Sequence, residues 1–212
     1  MQPRGTLLLV CIVISALVLP FHSPARSEQL ADAGVDAQWD ILARFHCAEA
    51  KQAAVADEQF FYAVTNRSVA KYDRSTGQHI ATSKGPAIHL NSGVLRFGKI
   101  YLAHSNYPAK PDRSDIKLLD PSSMELSLFH DFGPSEGSLT WAFPEEDGWW
   151  CHFAYYGAEN QRSYLAHFDK DWRETKRYTF PEEALQAFGK YSASGGLRRN
   201  GTWIVTGHDR KE

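Results

Sequence analysis

Three short β-type segments recur along this chain at nearly constant spacing, and that recurrence limits the possible fold more than any other feature. Val69-Ala70-Lys71-Tyr72-Asp73, Ile116-Lys117-Leu118-Leu119-Asp120 and Tyr164-Leu165-Ala166-His167-Phe168-Asp169 each close on an aspartate just under fifty residues from the next. A second marker keeps almost the same period: a glycine turn leads into an aromatic-rich strand at Gly98-Lys99-Ile100-Tyr101, Gly148-Trp149-Trp150 and Gly201-Thr202-Trp203-Ile204. Two independent markers at one period of about fifty residues are what repeated four-stranded antiparallel units produce. A third marker is steric. Ser92-Gly93, Gly137-Ser138 and Ser194-Gly195-Gly196 stand just before each presumed innermost strand, where small residues let backbones approach a common axis.

These features predict an all-β fold, an incomplete β-propeller of about three and a half four-stranded blades. Helical periodicity is confined to Pro181–Phe188, where Pro suits the first turn, Glu182 and Glu183 suit the positive helix end, and Gly189 can stop it. The stretch Trp39–Phe45 resembles the blade-ending strands Glu125–Phe129 and Arg177–Phe180, so it is expected to complete a final blade by closing the ring. The chain stops at Glu212, after the second strand of the fourth unit. The expectation is therefore a truncated propeller, whose missing blades come from a longer form or from a partner.

Residues 1–27 read as a signal peptide and 28–212 as the partial propeller domain. The apolar run Thr6–Leu19 is short for a membrane span, Pro20 and Pro24 follow it, and Ala25 and Ser27 have the spacing a signal peptidase reads. Export to the periplasm or outside the cell is the expected outcome, with no membrane association after cleavage. Cleavage removes Arg4 and Arg26 but no acid, leaving a net charge of about −4, and no basic patch points to nucleic acid. Cys47 and Cys151 then remain. An oxidising compartment permits a bridge between them, and two buried thiols are the equal alternative.

His89-Leu90-Asn91-Ser92-Gly93, Gly98-Lys99-Ile100-Tyr101, His104-Ser105-Asn106-Tyr107-Pro108, Gly137-Ser138-Leu139-Thr140-Trp141, Tyr191-Ser192-Ala193-Ser194-Gly195-Gly196 and Thr206-Gly207-His208-Asp209 together resemble a family of exported bacterial propeller proteins. The resemblance covers Ala48–Asp209. Some family members are called cycloisomerases by similarity to lactone-forming propeller enzymes, so the resemblance implies a small-molecule site of that kind. The chain departs from the pattern in ending early and in carrying Lys51-Gln52 where the family has His-Gln.

On the blade scheme, the turn leading into an innermost strand and the turn leaving a second strand open on one face. That mouth gathers His89, Asn91, Ser92, His104, Ser105, Asn106, Glu136, Tyr155, Tyr156, Ser192, Ser194, His208 and Asp209. His104 and His208 are candidate proton carriers with Glu136 as partner, because imidazole titrates near neutral pH. His89, Asn91, Ser92, Asn106, Tyr155, Ser194 and Asp209 are candidate ligand contacts. The histidines share no local spacing signature, so no metal is assigned, and no cofactor motif identifies a cofactor. Two function classes stay open: a small-molecule enzyme of cycloisomerase or lactonase type, and a non-catalytic binding platform in the cell envelope.

Overall fold

The computed structural model describes residues 43–199 and 201–207. They form three four-stranded antiparallel sheets and a two-stranded one, each built from consecutive strands. Blade one comprises β1 (Ala53–Ala56), β2 (Phe60–Val64), β3 (Val69–Asp73) and β4 (His79–Thr82). Blade two comprises β5 (His89–Arg96), β6 (Lys99–Ser105), β7 (Arg113–Leu119) and β8 (Leu126–Pro134). Blade three comprises β9 (Ser138–Glu145), β10 (Gly148–Ala154), β11 (Tyr164–Asp169) and β12 (Glu174–Thr179). The fourth sheet is β13 (Ala193–Arg199) paired with β14 (Thr202–Gly207), preceded by helix α1 (Glu182–Phe188). The first strands β1, β5, β9 and β13 lie side by side in that order, which is the propeller arrangement.

The two sequence markers have direct physical causes. Each recurring aspartate caps the hairpin between the third and fourth strands: Asp73 Oδ1 accepts from the Ser75 and Thr76 amides, Asp120 Oδ1 from Ser122, and Asp169 Oδ1 from Asp171 and Arg173. A short carboxylate can do this locally, which is why Asp recurs there. Each recurring glycine sits in the hairpin between the first and second strands with positive φ, namely Gly98 at 70°, Gly148 at 152° and Gly201 at 79°.

The second strands β2, β6 and β10 are buried on both faces, so they read as apolar runs rather than alternating patterns. In β2, Tyr62 and Val64 join Val55, Leu90, Ile100 and Leu102 in the core between blades one and two. Phe61 and Ala63 face the other way, under Cys47, Ala50 and Phe45. In β10, Cys151 and Phe153 pack towards blade two, and Trp150 packs towards α1 and the fourth sheet. Each fully buried aliphatic or aromatic side chain contributes about 1.5–3 kcal/mol, so these shared cores hold the blades together. Trp149 and Trp172 lie between blades two and three, with Trp172 stacked 3.6 Å from the His130 ring. Trp141, Trp150 and Trp203 form the corresponding cluster beside the fourth sheet. Trp149, Trp150, Trp172 and Trp203 thus all serve inter-blade packing.

Several expectations are refined or corrected. The small residues are not ahead of the innermost strands but mostly inside them, because β5 already begins at His89 and β13 at Ala193. Their steric role holds: a Cβ on Gly196 would stand 2.6 Å from the Trp141 ring, and one on Gly93 would stand 2.8 Å from Leu102. No bridge joins Cys47 and Cys151; both are free and buried. Of the stretch expected to close the ring, Trp39–Leu42 lies outside the described residues, and Phe45 packs on Phe61 of blade one with ring centroids 4.9 Å apart. The expected signal peptide, residues 1–27, likewise lies outside them. The helix appears where proline, acids and glycine predicted it, with Pro181 as N-cap and Gly189 at φ 69° ending it.

Candidate functional site

The strand register brings the expected loops to one face. His89 at the start of β5 lies opposite Ser105 at the end of β6, Ser138 opposite Ala154, and Ala193 opposite Gly207. Blade for blade, the chain therefore presents comparable positions around one mouth.

Many of the predicted polar residues are already committed within the protein. His104 is buried, and its Nε2 accepts a hydrogen bond from the Ile88 amide at 2.9 Å. A main-chain N–H can only donate, so Nε2 carries no proton and Nδ1–H donates to Asp115 Oδ2 at 2.9 Å. Asp115 is also 3.4 Å from Lys117 Nζ. Both ring nitrogens are spent on joining β7 to the turn before β5, leaving neither for a proton in transit. We expect His104→Ala to lower stability by about 2 kcal/mol, because it strands the Ile88 amide and a carboxylate oxygen; chemical denaturation measures this directly.

Glu136 is exposed and holds Arg177 at 2.7 Å. The same guanidinium pairs with Glu174 and lies 3.9 Å over the Tyr164 ring. Asn91 donates from Nδ2 to Leu139 O at 2.8 Å, tying the innermost strand of blade two to that of blade three. Asn106 closes its own loop, accepting from the Arg113 amide and donating to Pro111 O, both at 2.9 Å. Tyr155 is buried, with Arg162 4.1 Å over its ring and bonded to its hydroxyl. Ser194 donates to Gly207 O at 3.2 Å. Ser92 faces the fourth sheet so closely that a Cβ on Gly195 would lie 3.6 Å from its Oγ. His208 and Asp209 lie outside the described residues. Among the described residues, no three His, Cys, Asp or Glu side chains form a group able to hold a metal ion.

The structure joins two expected mouth residues, His89 and Tyr156, to two that sequence reasoning missed there, Tyr107 and Tyr191. His89, Tyr107, Tyr156 and Tyr191 form a chain of ring contacts across three blades, with successive centroids 5.2, 5.0 and 6.4 Å apart. Tyr107 and Tyr156 each stand two positions beyond the end of a second strand, and that shared blade position was the available signal. Burial, with a smaller contribution from His104, depresses the His89 pKa and favours the neutral ring. Burial raises the Tyr156 phenol to about 12 despite its hydrogen bond with Ser138, so it too is uncharged.

Two hydroxyls at this end have no partner. Ser105 and Ser192 are 1% and 0% exposed, and neither Oγ makes a hydrogen bond. Ser192 also adopts φ 61° and ψ −162°, a region that suits glycine. The residue directly before β9 is Gly137 at φ 87°, so at the matching position before β13 a serine occupies backbone that blade three gives to glycine.

On the opposite face a shallow groove of about 440 Å³ runs between the β1–β2 turn and the Pro121-Ser122 turn. Lys71 crosses it, 3.8 Å over the Phe60 ring, and donates to Pro121 O at 2.9 Å. This is a latch between blades one and two.

No known protein family matches the chain, and no curated protein does. Among solved structures it is similar to Kuenenia stuttgartiensis hydrazine synthase, at 14% identity and TM-score 0.49, over 75% of this chain and 42% of that one. It is also similar to the computationally designed Ika4 protein, at 10% identity and TM-score 0.32, over 64% of this chain and 94% of that one. This chain thus spans less than half of the hydrazine synthase chain.

Proposed function

We propose that this chain is a non-catalytic recognition module, exported by its first 27 residues, that holds a small ligand at the propeller mouth. The observation that carries this reading is the state of His104. A catalytic imidazole must exchange a proton with substrate, and this one has its lone pair capped by an amide and its N–H fixed on Asp115. Glu136, the expected partner, is held by Arg177 instead. What the mouth keeps available is suited to binding: the ring edges of Tyr107 and Tyr156 and the neutral His89 imidazole.

The test sets this reading against the cycloisomerase-like one. The full chain is incubated with a panel of lactones and the corresponding open-chain acids, alongside His104→Ala and Glu136→Gln. We expect no turnover distinguishable from either variant. Turnover in the parent chain that both substitutions abolish, with folding retained, would overturn the proposal.

A further inference from the structure

Resting on the reading of the mouth as a binding site, we propose that its ligand is an elongated organic dianion. Its two acid groups are answered by Arg67 and Lys190, and its uncharged, hydrocarbon-rich middle lies along Tyr107 and Tyr156.

The two cations bracket the ring row. At the His89 end, Arg67 is exposed on the Thr65–Ser68 turn between β2 and β3. The Asn66 carbonyl of that turn accepts from the amide of Leu90, the residue after His89, at 2.8 Å. At the other end, Lys190 is exposed just before β13, and its ammonium lies 4.7 Å over the Tyr191 ring. Both positions belong to the face of the mouth, because one follows a second strand and the other precedes an innermost one. Among the described residues, neither cation has a carboxylate partner.

The acids around the row are already spent. Asp112, Glu136 and Glu159 are the carboxylates whose charge bears on Tyr155 or Tyr156. Asp112 holds Lys110 at 2.6 Å, Glu136 holds Arg177 at 2.7 Å, and Glu159 holds Arg162 at 2.9 Å. Each pair is neutral as a unit, which leaves unanswered positive charge at both ends of the row, on a chain whose net charge is −2.

Between the cations the row carries no charge: burial holds His89 neutral and Tyr156 protonated. Tyr107 and Tyr156 are half-buried, with ring centroids 5.0 Å apart, and rings so placed offer C–H and π surface to an uncharged ligand segment. Three successive ring contacts separate the two ends. A compact diacid bound at one end would leave the far cation unanswered, so the arrangement selects length as well as charge.

The test titrates the full chain by calorimetry with sebacate, its shorter analogue succinate, the monoacid decanoate and the uncharged decanediol. We expect sebacate to bind about fivefold more tightly than decanoate, succinate to be weaker still, and high salt to narrow the difference. Arg67→Ala and Lys190→Ala should each weaken sebacate about fivefold, to the level of decanoate, and Lys190→Arg should restore it. Both side chains are exposed, so the melting temperature should stay unchanged. Succinate matching sebacate, sebacate binding indifferent to both alanine variants, or no binding of sebacate overturns the dianion assignment. Decanediol binding as tightly as sebacate, and lost in Tyr107→Ala, also overturns it, yet leaves the recognition reading standing.

Discussion

Gly148→Ala is expected to destabilise the protein by about 3 kcal/mol or more, whereas Gly98→Ala and Gly201→Ala should each cost only about 1 kcal/mol. The three glycines share one place in the repeat, and all have positive φ. Their surroundings differ sharply. A Cβ on Gly148 would fall 1.9 Å from the Phe168 carbonyl oxygen, and nothing lies within 4 Å of one on Gly98 or Gly201. Backbone cannot yield as a flexible side-chain tip can, so the hairpin between β9 and β10 must distort, and with it the strand that feeds two cores. Urea denaturation of the three variants side by side measures the contrast. Equal losses would mean that conformational strain alone matters at this position and that the close approach of β11 does not.

Acid is expected to weaken this fold well before its carboxylates titrate. His152 is fully buried between Trp141 and Phe180, and burial pushes its pKa from 6.5 down to about 3. Thr140 donates to Ala193 O, so it can only accept from His152, which puts the imidazole proton on Nδ1 and leaves Nε2 bare. Between pH 6.5 and 3 the unfolded chain binds a proton at this residue that the folded chain refuses, so stability falls as pH falls through that window. The slope approaches about 1.4 kcal/mol per pH unit, or of order 2–3 kcal/mol lost by about pH 4.5. His89 and His130, both depressed chiefly by burial, act in the same direction. Glu49 is held below its usual range chiefly by the Tyr72 hydroxyl, and Asp57 by the Phe60 and Gln59 amides against opposing desolvation; both add losses only at lower pH. His152→Phe keeps the ring between its aromatic neighbours and removes the proton site. Denaturation curves from pH 7 to 4.5 should therefore be distinctly flatter for that variant. An unchanged slope would show that the acid sensitivity arises elsewhere.

The architecture was legible because the residues that mark it act locally. Asp73, Asp120 and Asp169 cap their own hairpins, and Gly98, Gly148 and Gly201 turn theirs, so each repeat writes its period into a few neighbouring residues. The starts of the innermost strands were harder to read. Irregular pairing between Leu90 and Gly93, and again between Ala193 and Gly195, lets these strands run through small residues that look like turns. The site was legible only as a place. His104 has the right position and chemistry for proton transfer, and only its contacts with Ile88 and Asp115 reveal that its valences are spent. Ser192 gives the opposite case: nothing in the letters Tyr-Ser-Ala announces a positive φ or an unanswered hydroxyl, since both are set by how the fourth sheet lies on the third.

The double-sided burial of β2, β6 and β10 has a bearing on how the molecule comes apart. A strand that faces solvent on one side can be lost with its own sheet, but one that supplies wall to two compartments commits both when it moves. Failure is then transmitted sideways, from compartment to compartment, and local damage in blade three reaches both of its neighbours at once.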